Sequence, residues 1–171
     1  MKIRIKILLF CVLSIIFIGC DQVTKDIAKH NLVEGMYTSY LHDTVRLIYV
    51  QNTGAALNFA DNLPPRVSFW LLSIFPLAIL CYLFYYAIRN ARTMEPIKML
   101  SFCLIFAGGI GNIIDRILFD RHVTDFMNIG FGNIRTGIFN FADVCVTSGV
   151  IGLLLTRLIT YSKEKTDAKS V

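Results

Sequence analysis

The sequence predicts an all-α integral membrane protein, four transmembrane helices with a small amount of extracytoplasmic β structure, on three observations. Of the 171 residues, 55% are hydrophobic and only 17% charged, and the mean hydropathy is +0.59, an apolar balance unusual for a soluble domain. Four apolar stretches are each long enough to cross the hydrocarbon core of a bilayer. The basic residues sit at the ends of those stretches rather than among aromatic residues in a nucleic-acid-binding pattern, although 17 Lys and Arg against 12 Asp and Glu give a net charge of +5. At about 20 residues per span, four spans use roughly 80 residues. The whole chain, 1–171, is therefore expected to be a single membrane domain with no second soluble domain.

The first span begins at residue 3, is apolar to residue 20 and continues as a helix to about residue 28. The others are expected at about 67–88, 97–118 and 138–159. Lys2, Arg4 and Lys6, the connector with Arg89, Arg92 and Lys98, and the tail with Lys163, Lys165 and Lys169 are basic. The positive-inside rule puts both termini and that connector in the cytoplasm, leaving 29–66 and 119–137 outside. Within the first outer segment, Leu47-Ile48-Tyr49-Val50 suits a strand, and Asn52-Thr53-Gly54 is turn chemistry. Pro76 is expected to kink span two. The tail, 162–171, is polar and expected to fray.

Residues 1–20 also permit a different reading, because a basic start, an apolar core and Phe17-Ile18-Gly19-Cys20 imitate a lipoprotein precursor's leader. Three further spans speak against it. Cys11, Cys20, Cys81, Cys103 and Cys145 are odd in number and form no C-x-x-C pair, so neither a disulfide framework nor a zinc site is expected. They suit the packing of membrane helices.

Ionisable residues in a membrane helix are costly, and those present are functional candidates. Asp21 and Lys25 stand four apart on one helical face. Gly108-Gly109-Ile110-Gly111 permits close helix approach, and Asn112, Asp115 and Arg116 follow it. Asn140 and Asp143 begin span four, and Asp125 lies between apolar residues in the second outer loop. Asp115 with Arg116 suits an interfacial ion pair, and either asparagine suits a hydrogen bond between helices. Asp125 and Asp143 have no basic residue within a helical turn, and such carboxyls should titrate above their ordinary range. Brought together they would share a proton and supply one acid and one base, the aspartic-protease arrangement. His30, His42 and His122 show no H-E-x-x-H spacing, and neither G-x-S-x-G nor a phosphate-binding loop is present. The outer placement of His42 and His122 permits a role at the site, but they read rather as solvated loop histidines. No metal or cofactor is expected.

The motifs Asp21-Gln22-Val23-Thr24-Lys25, Gln51-Asn52-Thr53-Gly54-Ala55-Ala56, Gly111-Asn112-Ile113-Ile114-Asp115-Arg116, Val123-Thr124-Asp125-Phe126 and Phe139-Asn140-Phe141-Ala142-Asp143 together resemble the lipoprotein signal peptidase (signal peptidase II) family, in order and over nearly the whole chain. The resemblance implies an aspartic endopeptidase of the bacterial cytoplasmic membrane. It would cleave prolipoproteins just before a diacylglyceryl-modified cysteine, with substrate entering laterally from the membrane lipids. It implies four helices, a small β-cradle and a mobile periplasmic helix. Asp125 and Asp143 would be the catalytic dyad. Asp21, Lys25, Asn52, Gly54, Asn112, Arg116 and Asn140 would shape the site, with Asp115 beside Arg116 as an orienting partner. Spacing alone admits Asp115 as the second acid; Asp125 is preferred because Arg116 is expected to hold Asp115 ionised. Leu57 and Asn58 depart from the family's usual aromatic, Thr124 from an aliphatic residue, and Asn128 from an acidic residue or histidine.

A monomer acting on prolipoproteins, with no nucleic-acid partner, is the expectation. Its rivals are a small ion or proton carrier and a membrane scaffold. A carrier needs polar residues across the whole bilayer, whereas 100–106 and 150–155 contain no ionisable group.

Overall fold

A computed structural model describes residues 2–54 and 64–167. Four helices long and apolar enough to cross a membrane form a bundle with a small sheet at one end. The elements are α1 (Ile3–Asn31), β1 (Tyr37–Tyr40), β2 (Val45–Asn52), α2 (Pro65–Phe69), a π-helical turn (Trp70–Ile74), α3 (Phe75–Arg89), α4 (Pro96–Leu118), β3 (Val123–Phe131), β4 (Ile134–Arg135) and α5 (Phe141–Asp167). The strands form one antiparallel sheet in the order β1-β2-β3-β4.

The helix α4 packs against α1, α3 and α5, and its small residues allow this. A Cβ on Gly108 would collide with the Ala142 carbonyl, and one on Gly111 would stand 2.5 Å from Asp21 Oδ2. Away from the sheet, the core is Phe10, Ala87, Met99, Phe102 and Cys103, where Phe10 meets Phe84 edge-on at 5.7 Å. Lys6 seals this end by donating to the Met94 carbonyl at 2.7 Å, giving a buried ammonium an acceptor.

Three expectations change in detail. Pro76 lies in the first turn of α3, and the adjustment comes one turn earlier: the Phe75 N–H reaches back five residues to the Trp70 carbonyl, a π-turn that absorbs the irregularity. Span four starts at Phe141 rather than 138, because Phe139 is still paired with β3. Its helix runs to Asp167 instead of fraying from 162, consistent with the helix-forming Lys163-Glu164-Lys165 run. Residues 168–171 lie outside the described part. In agreement with expectation, the strand-prone 47–50 run falls within β2. The helix α1 passes unbroken through Gly19-Cys20, and all five cysteines are free thiols.

The contrast between glycines is testable. Replacing Gly111 by alanine should lower stability by about 1–3 kcal/mol through overpacking, read as a fall in thermal midpoint. Gly19→Ala, where no atom would lie within 4 Å of the new methyl, should leave the midpoint unchanged or raise it.

Candidate active site

The polar residues converge where α1, α4 and α5 meet the sheet. At the centre is Lys25, 1% exposed, whose Nζ lies 2.8 Å from Asp21 Oδ2 and 3.0 Å from Asp115 Oδ2, and donates to Asn112 Oδ1 at 2.9 Å. An ammonium has three N–H donors and no acceptor, so these three oxygens satisfy it. Asp21 and Asp115 are fully buried, and each uses its other oxygen elsewhere. Asp21 Oδ1 accepts the Ala142 N–H at 2.8 Å, and Asp115 Oδ1 accepts from Gln22 at 3.0 Å. Asp115 Oδ2 also receives the Thr124 N–H at 3.2 Å, fastening β3 to α4.

The Lys25 charge decides the orientation of Asn112. Only the amide oxygen can face an ammonium, so Nδ2 must point away, where it donates to Asp143 Oδ1 at 2.9 Å. Asn140 is set by the same logic. Its Nδ2 donates to Asn112 Oδ1 at 3.1 Å and to Asp125 Oδ1 at 2.7 Å, while its Oδ1 accepts the Asp143 N–H at 3.0 Å. In return the Asn140 N–H donates to Asp143 Oδ2 at 3.1 Å, and its carbonyl accepts the first helical N–H, from Val144. Asn140 and Asp143 thus form a reciprocal capping box at the start of α5. Asp21 takes a further first-turn N–H, at the helix end that favours negative charge.

Asp125 arrives from the sheet. Val50 pairs with Asp125 and Asn52 with Val123, and Asn52 Nδ2 donates to Asp125 Oδ2 at 2.9 Å. The Asn52 oxygen accepts the Gly54 N–H at 2.9 Å, closing the turn expected there. Phe139 exchanges backbone hydrogen bonds with Met127 at 2.8 Å in both directions, which holds the start of α5 against β3 and brings Asp143 to Asp125. Burial, with the Asp143 charge adding to it, pushes the Asp125 carboxyl up to about 6, against the hydrogen bonds from Asn52 and Asn140. A buried carboxyl beside another carboxylate ionises reluctantly.

All ten residues singled out from the sequence are therefore neighbours. One assigned relation changes. Asp115 is paired with Lys25, Gln22 and the Thr124 N–H, and it does not orient Arg116. The Arg116 guanidinium turns to the Gly54 carbonyl, 3.0 Å away, within electrostatic reach of Asp125, Asp143 and Asp115. Residues three or four apart share a face, whereas adjacent ones diverge by 100°, so Asp115 and Arg116 address different partners. Gln22, bonded to Asp21, Asp115 and the Gly111 carbonyl, received no role from the sequence, although a glutamine beside a span's buried aspartate was the available signal. Thr124 contributes through its backbone. Asn128 holds the β3–β4 hairpin through Thr136 and Arg135. His30 and His122 bond nearby backbone carbonyls of Asp26 and Phe119. Ala55, Ala56, Leu57 and Asn58 lie outside the described residues.

The model of the signal peptidase (SPase) II family matches residues 13–159. The lipoprotein signal peptidase of Borreliella burgdorferi (strain ZS7) is 34% identical over 149 residues, covering 84% of this chain and 85% of that protein. The one of Bartonella henselae is 32% identical, covering 88% and 89%. Among solved structures, a bacterial membrane enzyme determined by the in meso method at 2.3 Å superposes with a TM-score of 0.76 at 29% identity, covering 90% of each chain. A second, at 1.9 Å, gives 0.73 at 28%, covering 87% of this chain and 92% of that one.

Removing the central charge is predicted to be more damaging than removing the whole ion triad. Lys25→Met leaves two buried carboxylates uncompensated and should cost about 3–5 kcal/mol, measured by denaturant or thermal unfolding in detergent. Adding Asp21→Asn and Asp115→Asn to Lys25→Met should recover much of that loss.

Proposed function

The chain belongs to the signal peptidase II family, and from that premise we propose that it is an aspartic endopeptidase that removes the signal peptide of prolipoproteins, cutting just before the diacylglyceryl-modified cysteine. It is a multi-pass bacterial membrane protein. In the reading adopted here both termini are cytoplasmic, the sheet end faces outward, the chain forms a single membrane domain, and neither metal nor cofactor takes part. The observation that carries the chemistry is the approach of buried Asp125 and half-buried Asp143 to one another across the shared Asn140. Their four oxygens accept from Asn52, Asn140 and Asn112 amides and from the Asn140 N–H, surroundings that orient carboxyl groups for proton transfer.

One carboxyl of such a pair holds the shared proton, and the upward displacement of Asp125, with its deeper burial, supports giving it that part. Asp143 takes a proton from a water molecule as its oxygen attacks the scissile carbonyl carbon. Asp125 gives its proton to the carbonyl oxygen. Collapse of the tetrahedral intermediate returns that proton to Asp125, while Asp143 passes the water's proton to the leaving amine of the cysteine, which restores the dyad. Arg116 supplies positive charge beside both carboxyls. Lys25, Asp21, Asp115 and Gln22 act through Asn112 and the start of α5, as positioning residues. The gathering of the buried carboxyl groups at one end of the bundle, with Lys6 the only charged side chain buried at the other among the described residues, favours this reading over a carrier.

Cleavage of a diacylglyceryl-modified precursor should fall about 10²–10⁴-fold in Asp125→Asn and in Asp143→Asn, with helicity intact by circular dichroism. Asp115→Asn should keep partial activity, and a metal chelator should change nothing. Equal activity of the Asp125 or Asp143 variants and wild type would refute the assignment. The raised Asp125 carboxyl also fixes a sign: kcat/KM should decline as pH rises through about 6, when the acid of the free enzyme is lost. The limb in kcat should lie higher, because bound substrate expels water and disfavours ionisation further.

A further inference from the structure

Beside the active site lies a second polar cluster that shares Arg116 with it and adds two guanidiniums, Arg66 and Arg121, to which the peptidase reaction gives no work. Where α2 approaches the end of α4, Arg66, Arg116 and Arg121 line a recess of about 350 Å³ together with Trp70 and Asp120. The recess continues, through the shared Arg66 and Trp70, into an apolar groove of about 640 Å³. Leu71, Ile74, Phe75 and Ala78 line that groove among the described residues. It runs along a helix long and apolar enough to cross a membrane.

The Arg116 charge faces the carboxyls of the active site, whereas those of Arg66 and Arg121 are poorly compensated. Asp120 is 90% exposed and stands 4.0 Å from Arg121, a marginal contact. The Arg66 side chain, among the described residues, makes no hydrogen bond or ion pair, and Arg116 Nε is buried without a hydrogen-bond partner there. Guanidinium groups recognise phosphate with paired N–H donors. Lys and Arg are scarce on the outer side of most membrane proteins, so Arg66 and Arg121, gathered beside Arg116 at that side, call for a local anion. Exposed Trp70 stands where tryptophan sits in the headgroup layer.

An apolar trough that faces lipid and ends in a cationic recess is complementary to one kind of molecule. We propose that this surface binds an anionic phospholipid of the outer leaflet, its phosphate among Arg66, Arg116 and Arg121 and an acyl chain along Trp70, Ile74, Phe75 and Ala78. The diacylglyceryl group of a prolipoprotein is uncharged and would leave the guanidiniums unanswered, so this lipid is distinct from the substrate. The inference rests on the membrane-spanning, outward-facing reading of the sheet end and adds a ligand beside the peptidase site.

The test uses the full chain, purified and exchanged into vesicles of phosphatidylcholine alone, phosphatidylcholine with an equal part of phosphatidylglycerol, or phosphatidylcholine with neutral diacylglycerol. Lipid carried through re-extraction is then counted by native mass spectrometry. Wild type should retain phosphatidylglycerol preferentially. Arg66→Gln with Arg121→Gln should reduce that retention at least about tenfold, and Arg66→Lys with Arg121→Lys should keep part of it. Cleavage of precursor in detergent should be unchanged in both variants, which shows that they fold. Should the Gln pair not fold, Arg66→Gln alone is read the same way with a smaller loss. Equal retention of phosphatidylcholine, phosphatidylglycerol and diacylglycerol, or full retention of phosphatidylglycerol by the Gln pair, would overturn the inference. Lipid binding without precursor cleavage by wild type would instead count against the peptidase reading alone.

Discussion

A single ammonium, Lys25, enclosed by Asp21, Asp115 and the Asn112 oxygen, is the interaction on which the rest of the polar end depends. Buried charges lose several kcal/mol of hydration each, and only close, fully hydrogen-bonded partners offset that loss. Each member of this triad has such partners. Asp115 ties α4 to α1 and to β3, and Asp21 ties α1 to the first turn of α5. The glycine at 111 lets α4 come close enough for Asp21 to reach both, since a methyl there would press on the Asp21 carboxylate. Lysine suits the position because three donors on one nitrogen can address three oxygens spread over α1 and α4, whereas a planar guanidinium presents its donors as a fork.

The second constraint is the double use of the start of α5. Asp143 closes the capping box with Asn140, and the same carboxylate faces Asp125 across the Asn140 amide. A cap and a proposed catalytic group thus share one side chain, and the Phe139–Met127 pairing fixes where it sits relative to β3. The dyad is therefore held by secondary-structure ends rather than by mobile loops, the kind of support that keeps proton-transfer geometry tight.

The spans and the gathering of the polar residues were legible because bilayer physics makes them so. Ionisable residues at Asp21, Lys25, Asp115, Asp125 and Asp143 stand out against apolar neighbours, and local spacing sufficed to pair Asp21 with Lys25. The pairing of Lys25 with Asp115 was not legible, since it joins two helices 90 residues apart in the chain. Adjacency in sequence suggested Arg116 instead, and helical geometry sends neighbours to different faces. The capping box in Asn140-Phe141-Ala142-Asp143 is hidden when span four is taken to begin at 138, because both residues then fall inside the helix rather than at its cap. The π-turn ahead of Pro76 and the length of α5 depend on packing and on chain ends that periodicity does not report.

If the Lys25 charge positions the dyad by orienting Asn112, its removal must show in the chemical step even where the fold survives. The most direct measurement is the kcat of the neutral triad, Lys25→Met with Asp21→Asn and Asp115→Asn, on saturating diacylglyceryl-modified precursor. A misplacement of catalytic groups by about 1 Å lowers rates on the order of 100-fold, so kcat should drop by that order while KM holds. A folded neutral triad cleaving at the wild-type kcat would contradict the claim and reduce the triad to packing.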